Sequence, residues 1–187
     1  PGEVVDALLV WPDFDTANTA ILWSIRLPMT LTCVFVGGSL SLAGLQIQTI
    51  TNNALASPYT LGITASASFG AAIAITLGLS VAGYLWIGTA LLALVFALAV
   101  SLLIFYLGRL KGMSTSTLIL SGIIMNFFFQ ALQQYLQYRA SPEIAQIISG
   151  WTFGNLQRSS WMSVVVSGCL LVMGGRSCPA GIGVSPY

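Results

Sequence analysis

An all-α, polytopic transmembrane helical bundle is what this sequence predicts, and the placement of its charges is the main reason. Of 187 residues, 56% are hydrophobic and 6% are charged, with a mean hydropathy of +0.89. A soluble domain carries roughly a quarter charged residues. So few charges cannot coat a globule of this size, which excludes a cytosolic enzyme or a nucleic-acid binder. Residues 27–108 hold no charge at all, nor do residues 112–138. A helix crossing a ~30 Å hydrocarbon core needs about 20 apolar residues, so the longer run accommodates three crossings with their turns.

The elements follow in chain order. Residues 1–25 contain Glu3, Asp6, Asp13 and Asp15 and read as a loop outside the membrane. Asp15 or Thr16 is placed to cap a helix through Asn18–Ile25, because such side chains accept hydrogen bonds from free N–H groups. The first span opens at Pro28, where a missing N–H is harmless, and runs to about Ile50. The polar stretch 51–59 is a turn outside the hydrocarbon. A second span covers about Leu61 to Leu79, with a bend near Ser80–Tyr84. The third runs from about Leu85 to Leu107 and stops at Arg109-Leu110-Lys111-Gly112. The fourth runs from about Thr117 to Tyr138.

A loop with Arg139, Pro142, Glu143 and Arg158 follows, holding a short amphipathic helix with Ile144, Ile147 and Ile148 on one side. The last apolar stretch, Trp161–Met173, is too short to cross comfortably, and Gly174-Gly175 and Pro179 are expected to break it. The chain thus divides into a loop (1–25), a bundle of four clear spans plus a weak fifth (26–173), and an atypical tail (174–187). It reads as a piece of a longer protein, its tail truncated or frameshifted.

Parity puts Arg26 and Arg139 on one face of the membrane and Arg109 on the other. The tryptophans Trp11, Trp23, Trp86, Trp151 and Trp161 then all fall on the Arg26 face, as an interfacial belt would. The tight Arg109/Lys111 pair in a short loop favours that face as the cytoplasmic one.

Small residues recur at helical spacing: Gly37, Ser41 and Gly44 in the first span, and Gly62, Ser66, Gly70, Ala74 and Gly78 in the second. Such stripes let helix backbones approach closely in lipid, so they are read as packing surfaces. The fourth span differs. Asn126, Gln130, Gln133 and Gln137 recur at helical steps on one face, with Gln134 beside them. Facing lipid, an unpaired amide costs several kcal/mol, so this face meets either other helices or water. Interhelical bonding and the wall of a pathway for a large polar solute both fit the pattern. Gln46 and Gln48 in the first span are weaker versions of it.

Absences sharpen the reading. Histidine does not occur, and none of the four clear spans holds an acidic or basic residue. Proton-coupled carriers and voltage sensors usually need such groups, so an ion-coupled carrier loses weight, as does a membrane-embedded enzyme. Cys33, Cys169 and Cys178 have no metal-like spacing, and no catalytic residue, metal or cofactor is expected. No phosphate-binding loop occurs. A structural membrane subunit is the remaining alternative to a transporter.

Several segments together resemble the FecCD/BtuC-type ABC permeases, importers of ferric siderophores, haem and cobalamin. These are Arg26-Leu27-Pro28, then Gly37-Gly38-Ser39-Leu40-Ser41-Leu42-Ala43-Gly44, Gln48, and Asn53-Ala54-Leu55-Ala56-Ser57-Pro58 with Leu61-Gly62. Ser114-Thr115-Ser116 before Leu118-Ile119-Leu120-Ser121-Gly122, and Gly150-Trp151 through Gly154-Asn155-Leu156, extend the likeness over about residues 20–165.

The resemblance implies a multi-pass permease fragment in the cell inner (cytoplasmic) membrane, with the Arg26 face outward. Arg26 resembles the arginine that pairs with an acidic residue of a solute-binding protein, periplasmic or lipid-anchored. Asn53, Leu55, Ser114, Thr115 and Ser116 resemble a cytoplasmic gate, and the fourth span resembles the helix lining the pathway. The partners implied are that binding protein, an ATP-binding subunit that hydrolyses the nucleotide, a second permease subunit (homo- or heterodimer) and membrane lipid, with no nucleic acid. The cargo implied is a metal chelate, with a ferric siderophore ahead of haem or cobalamin by frequency alone. A bare cation is disfavoured because no carboxylate or imidazole is at hand to ligate it.

Departures are Ala54, where the family usually has proline, and Met29, where a basic residue is common. One further span is expected before residue 1 and about four after the last stretch.

Overall fold

A computed structural model describes residues 17–81, 83–110, 114–156 and 159–177. The elements are α1 (Ala17–Ile21), a π-helical turn (Leu22–Arg26), α2 (Leu27–Thr51), α3 (Ile63–Thr76), α4 (Leu85–Leu110), α5 (Thr115–Arg139), α6 (Pro142–Phe153) and α7 (Trp161–Ser177). Among the described residues there is no strand, only an isolated bridge between Val81 and Tyr84. The described parts of Pro1–Ala43 and Asn155–Tyr187 form one compact unit, and Gly44–Gly154 forms the other. The expected acidic loop and its cap residues Asp15 and Thr16 lie outside the described residues. So do Trp11, Lys111, Arg158 and the segment 178–187.

Three helical stretches are long and apolar enough to cross a membrane: Thr19–Thr51, Leu85–Leu110 and Thr115–Arg139. The first begins earlier than Pro28, because α1 and the π-helical turn continue into α2 without a break. Pro28 therefore lies inside a continuous helical stretch, directly after the π-helical turn, where its missing N–H leaves one carbonyl of the preceding turn without a helical donor.

The second apolar run is a correction to the expected span. Its helix, α3, has 14 residues, fewer than the ~20 a crossing needs. Two glycines punctuate it. Gly62 has φ 71° and Gly78 has φ 64°, left-handed backbone that is the natural place for a residue without a Cβ. Ser57 and Thr60 bind each other's backbone N–H groups across the preceding turn, at 2.8 and 3.2 Å.

Small side chains make α3 the centre of the Gly44–Gly154 unit. Ala72, Ala74 and Ser66 are wholly buried, and α3 packs on α4, α5 and α6. A Cβ added to Gly70 would stand 2.6 Å from the Leu92 carbonyl oxygen on α4. Where α5 passes the turn before α3, backbone meets backbone. A Cβ on Gly62 would lie 2.7 Å from the Asn126 nitrogen, and one on Gly122 would lie 2.6 Å from the Leu61 Cα. Around this crossing Leu61, Val100, Ile104 and Leu118 form an apolar cluster. Phe69, Phe96 and Phe129 tie α3, α4 and α5 together with ring centroids 5.4–6.2 Å apart.

The amphipathic helix is α6. Ser141 caps it by accepting from the Ile144 N–H, and Pro142 suits the first turn. The Glu143 carboxyl is held below its ordinary range by its own backbone N–H and then by the Ser141 hydroxyl. Ile148 is 1% exposed and packs with Ala72, Ile75, Leu136 and Ile144. Ile147, expected on the same side, is exposed instead. Positions one residue apart diverge by about 100° on a helix, and the buried face centres on 144 and 148.

In the other unit, α7 corrects the expected break at Gly174-Gly175. It runs for 17 residues to Ser177. A helical glycine costs only about 1 kcal/mol relative to alanine, too little by itself to end the helix. Close packing lies elsewhere in this unit: a Cβ added to Gly38 would stand 3.2 Å from the Leu171 side chain, and one added to Gly168 would stand 3.3 Å from the Phe35 ring. The small residue of α2 that takes a neighbour is therefore Gly38. Gly37 and Gly44 have no described atom within 4 Å of an added Cβ. Trp23 and Trp161 meet in the same unit, with ring centroids 6.3 Å apart.

Replacing Gly62 by alanine is expected to cost about 2 kcal/mol or more, from left-handed strain and overpacking together. In the full-length protein in detergent this appears as a thermal midpoint lowered by several degrees. An unchanged midpoint would contradict the crossing described here.

Candidate functional site

The amide face of α5 acquires its environment from α3 and α6. Gln130, Gln133, Gln134 and Gln137 line a cleft of about 400 Å³, completed by Tyr59, Thr64, Ala65 and Ser68 on one side and Ser149, Thr152 and Phe153 on the other. A cleft of this size suits a ligand of several hundred daltons. Among the described residues, no charged side chain lines it.

Its walls are cross-linked by hydrogen bonds. Gln133 is 8% exposed, and its Nε2 donates to Thr152 Oγ1 at 2.9 Å. Gln137 Nε2 makes a longer contact of 3.5 Å with Ser149 Oγ. Both hydroxyls in turn donate to carbonyls one turn back on α6: Thr152 to Ile148 and Ser149 to Ala145, each at 2.9 Å. Asn126 sits at the edge of the row and does not line the cleft. Its Nδ2 donates to the Tyr59 carbonyl at 3.3 Å, and its Oδ1 accepts from Gln130 Nε2 at 2.7 Å. Interhelical bonding, one of the two readings of the amide row, is thus present. The same side chains join α5 to its neighbours and wall a polar recess.

Gln46 and Gln48 are not part of this wall. Gln48 Nε2 reaches forward to the Ala54 carbonyl at 2.9 Å and so closes the turn that follows α2. Asn53 belongs to that turn. Its N–H donates to the Gln48 carbonyl at 3.1 Å, and its Oδ1 accepts from the Leu55 N–H at 2.9 Å, an Asx turn. Ala56 is buried behind it, while Leu55 is 84% exposed at the tip.

Ser114 caps α5, accepting from the Thr117 N–H at 3.2 Å, with Thr115 and Ser116 in the first turn. The two segments stand at the same end of the unit, since Thr51 and Leu118 line one apolar pocket of about 140 Å³ with Leu61 and Ile104. Arg26 is exposed at the end of the π-helical turn, in the other unit. Among the described residues no three His, Cys, Asp or Glu side chains cluster as metal ligands would.

The hydroxyls around the glutamines were not legible in the sequence. Ser149 and Thr152 on α6, which bond Gln137 and Gln133, and Thr64 and Ser68 on α3, which line the cleft, share helix faces at spacings of three and four. Hydroxyl pairs of that kind are common in membrane helices, so only the docking of α6 and α3 against α5 singles these out.

The sequence pattern of the FecCD transport family matches residues 1–176. A Helicobacter pylori protein named as an iron chelatin transport system permease is 35% identical over 79% of this chain and 43% of its own length. The molybdate import system permease MolB of Haemophilus influenzae is 31% identical over 86% of this chain and 47% of its own. The vitamin B12 import system permease BtuC of Escherichia coli is 29% identical over 89% and 51%. A solved inward-facing structure of a metal-chelate type ABC transporter superposes with a TM-score of 0.71 at 28% identity, over 87% of this chain and 53% of that one.

The chain thus spans about half the length of the curated relatives it matches. With helices of crossing length, an amide-lined recess and the Asn53 and Ser114 turns all falling inside the matched residues, it belongs to the FecCD transport family, as a multi-pass protein of the cytoplasmic (inner) membrane.

Proposed function

We propose that this chain is part of the permease of an ABC importer and that its cargo is a metal chelate, a ferric siderophore first, with haem and cobalamin as the other candidates. The observation that carries the proposal is the uncharged polar cleft between α3, α5 and α6. A large solute with a polar periphery needs water-like partners to cross an apolar slab, and glutamine amides and hydroxyls supply them without the electrostatic cost of a buried ion. A bare metal ion would need ligands of another kind. The named relatives handle iron chelatin, molybdate and vitamin B12, so the family alone does not choose among cargoes; the uncharged lining favours a chelate over an oxyanion.

In this reading Gln130, Gln133, Gln134 and Gln137 wall the pathway, and Asn126 orients Gln130. Arg26 faces outward and pairs with an acidic residue of a solute-binding protein. The Asn53–Leu55 turn and the Ser114–Ser116 cap form part of the cytoplasmic gate. ATP binding and hydrolysis on a partner subunit drive the cycle of a permease dimer, whose two copies are identical or related. This chain itself makes and breaks no covalent bond.

Two outcomes are expected. In the assembled full-length transporter, cysteines replacing Gln130 or Gln134 react with a membrane-impermeant thiol reagent in at least one nucleotide state; protection in every state would overturn the pathway. Arg26→Glu weakens binding of the cognate solute-binding protein about tenfold or more, since removal of one partner from a close interfacial charge pair costs about 2–5 kcal/mol. An unchanged affinity by surface plasmon resonance would remove Arg26 from the docking face.

A further inference from the structure

The hydrogen bonds of the cleft fix which end of each amide is offered to cargo. A backbone carbonyl can only accept, so at Tyr59 it is Asn126 Nδ2 that must donate. That leaves Asn126 Oδ1 toward Gln130, and Gln130 has to present its own Nε2. On α6 the sense is the one the hydroxyls adopt. Thr152 donates to the Ile148 carbonyl, and its oxygen accepts from Gln133 Nε2. Ser149, bonded to the Ala145 carbonyl, favours the same sense at Gln137 through a longer contact.

At Gln130 the acceptor-only Tyr59 carbonyl forbids the flipped amide, and at Gln133 and Gln137 the hydroxyls' bonds to helix carbonyls favour the same sense. The carbonyl oxygens of Gln130 and Gln133 receive no hydrogen bond from any described residue, and both residues line the cleft.

We infer that Gln130 and Gln133, with Gln137 in the same sense, act as specificity-determining hydrogen-bond acceptors, so that the cleft passes an uncharged chelate bearing N–H or O–H donors on its periphery in preference to one lacking them. The inference rests on the pathway reading above and deepens it. Three acceptor oxygens, with no cation among the described lining residues, repel an oxyanion or a polyanionic chelate. A neutral donor-bearing chelate replaces its lost water bonds one for one. A site built to accept hydrogen bonds discriminates strongly against a ligand that lacks the donor, because the site's own polar groups are then left unpaired.

The test uses the full-length permease with its ATP-binding subunit and solute-binding protein in proteoliposomes. Two iron-loaded probes are compared: a neutral ferric trihydroxamate with secondary-amide N–H groups, and the same chelate with those nitrogens methylated. The binding protein's affinity for each probe is measured separately and divided out. The N–H chelate is expected to enter about fivefold faster or more.

Thr152→Val removes the acceptor that anchors Gln133 and is expected to bring the ratio down about threefold, whereas Thr152→Ser keeps it. If the valine variant does not assemble, Gln133→Leu, which deletes the acceptor itself, serves in its place with the same expected fall. A ratio of one in the unsubstituted transporter, or uptake of neither probe, overturns the inference. So does a ratio that stays fixed while both rates fall, which marks a merely structural role. Thiol labelling at Gln130→Cys with an unmoved ratio would leave the pathway standing and sink only the polarity argued here.

Discussion

A polar side chain in a membrane must find a partner, and most of what is distinctive in the Gly44–Gly154 unit follows from that requirement. Four glutamines and an asparagine on α5 cannot face hydrocarbon without leaving donors and acceptors unpaired. The fold answers with the hydroxyls of α6, the turn carbonyl at Tyr59 and a polar recess. Each answer demands closeness. Closeness is supplied by α3, whose alanines, serines and glycines bring it against α4, α5 and α6. The short helix and the amide row are thus two halves of one solution: little side-chain bulk on one helix allows much side-chain chemistry on the next.

Much of this was legible in the sequence. The charge-free runs gave the crossing helices, because excluding charge from hydrocarbon is a coarse, strong constraint. The amide row was legible because steps of three and four on a helix leave little choice of face. Other features depended on packing that no local pattern encodes. Gln48 looked like a member of the polar face, yet its amide closes the turn at Ala54; one residue's choice between solvent and a nearby carbonyl is a matter of a few tenths of an ångström. Spacing placed Gly37 in the small-residue stripe of the first span, yet it is Gly38 that meets the Leu171 side chain.

The end of α7 shows the same limit from the other side. Consecutive glycines ordinarily argue for a break, but the rule describes an isolated helix in water. In lipid the alternative to a helix is an unsatisfied backbone, so the helix persists through Gly174 and Gly175. The second apolar run errs in the opposite direction. It is apolar enough to span, yet Gly62 and Gly78 take positive φ and trim the helix to 14 residues. Burial among neighbours makes the shorter length tolerable, since α3 has little surface left to match to a bilayer.

The crossing of α5 over the turn at Gly62 has a mechanical corollary. Two main chains touching with no side chains between them form a joint without a cushion: side-chain rotamers cannot absorb a tilt there. Any rocking of the glutamine-bearing helix must drag the 57–62 segment along, and with it the start of α3. Stiffness at one point of contact thereby turns a helix into a lever arm whose fulcrum is a pair of missing Cβ atoms.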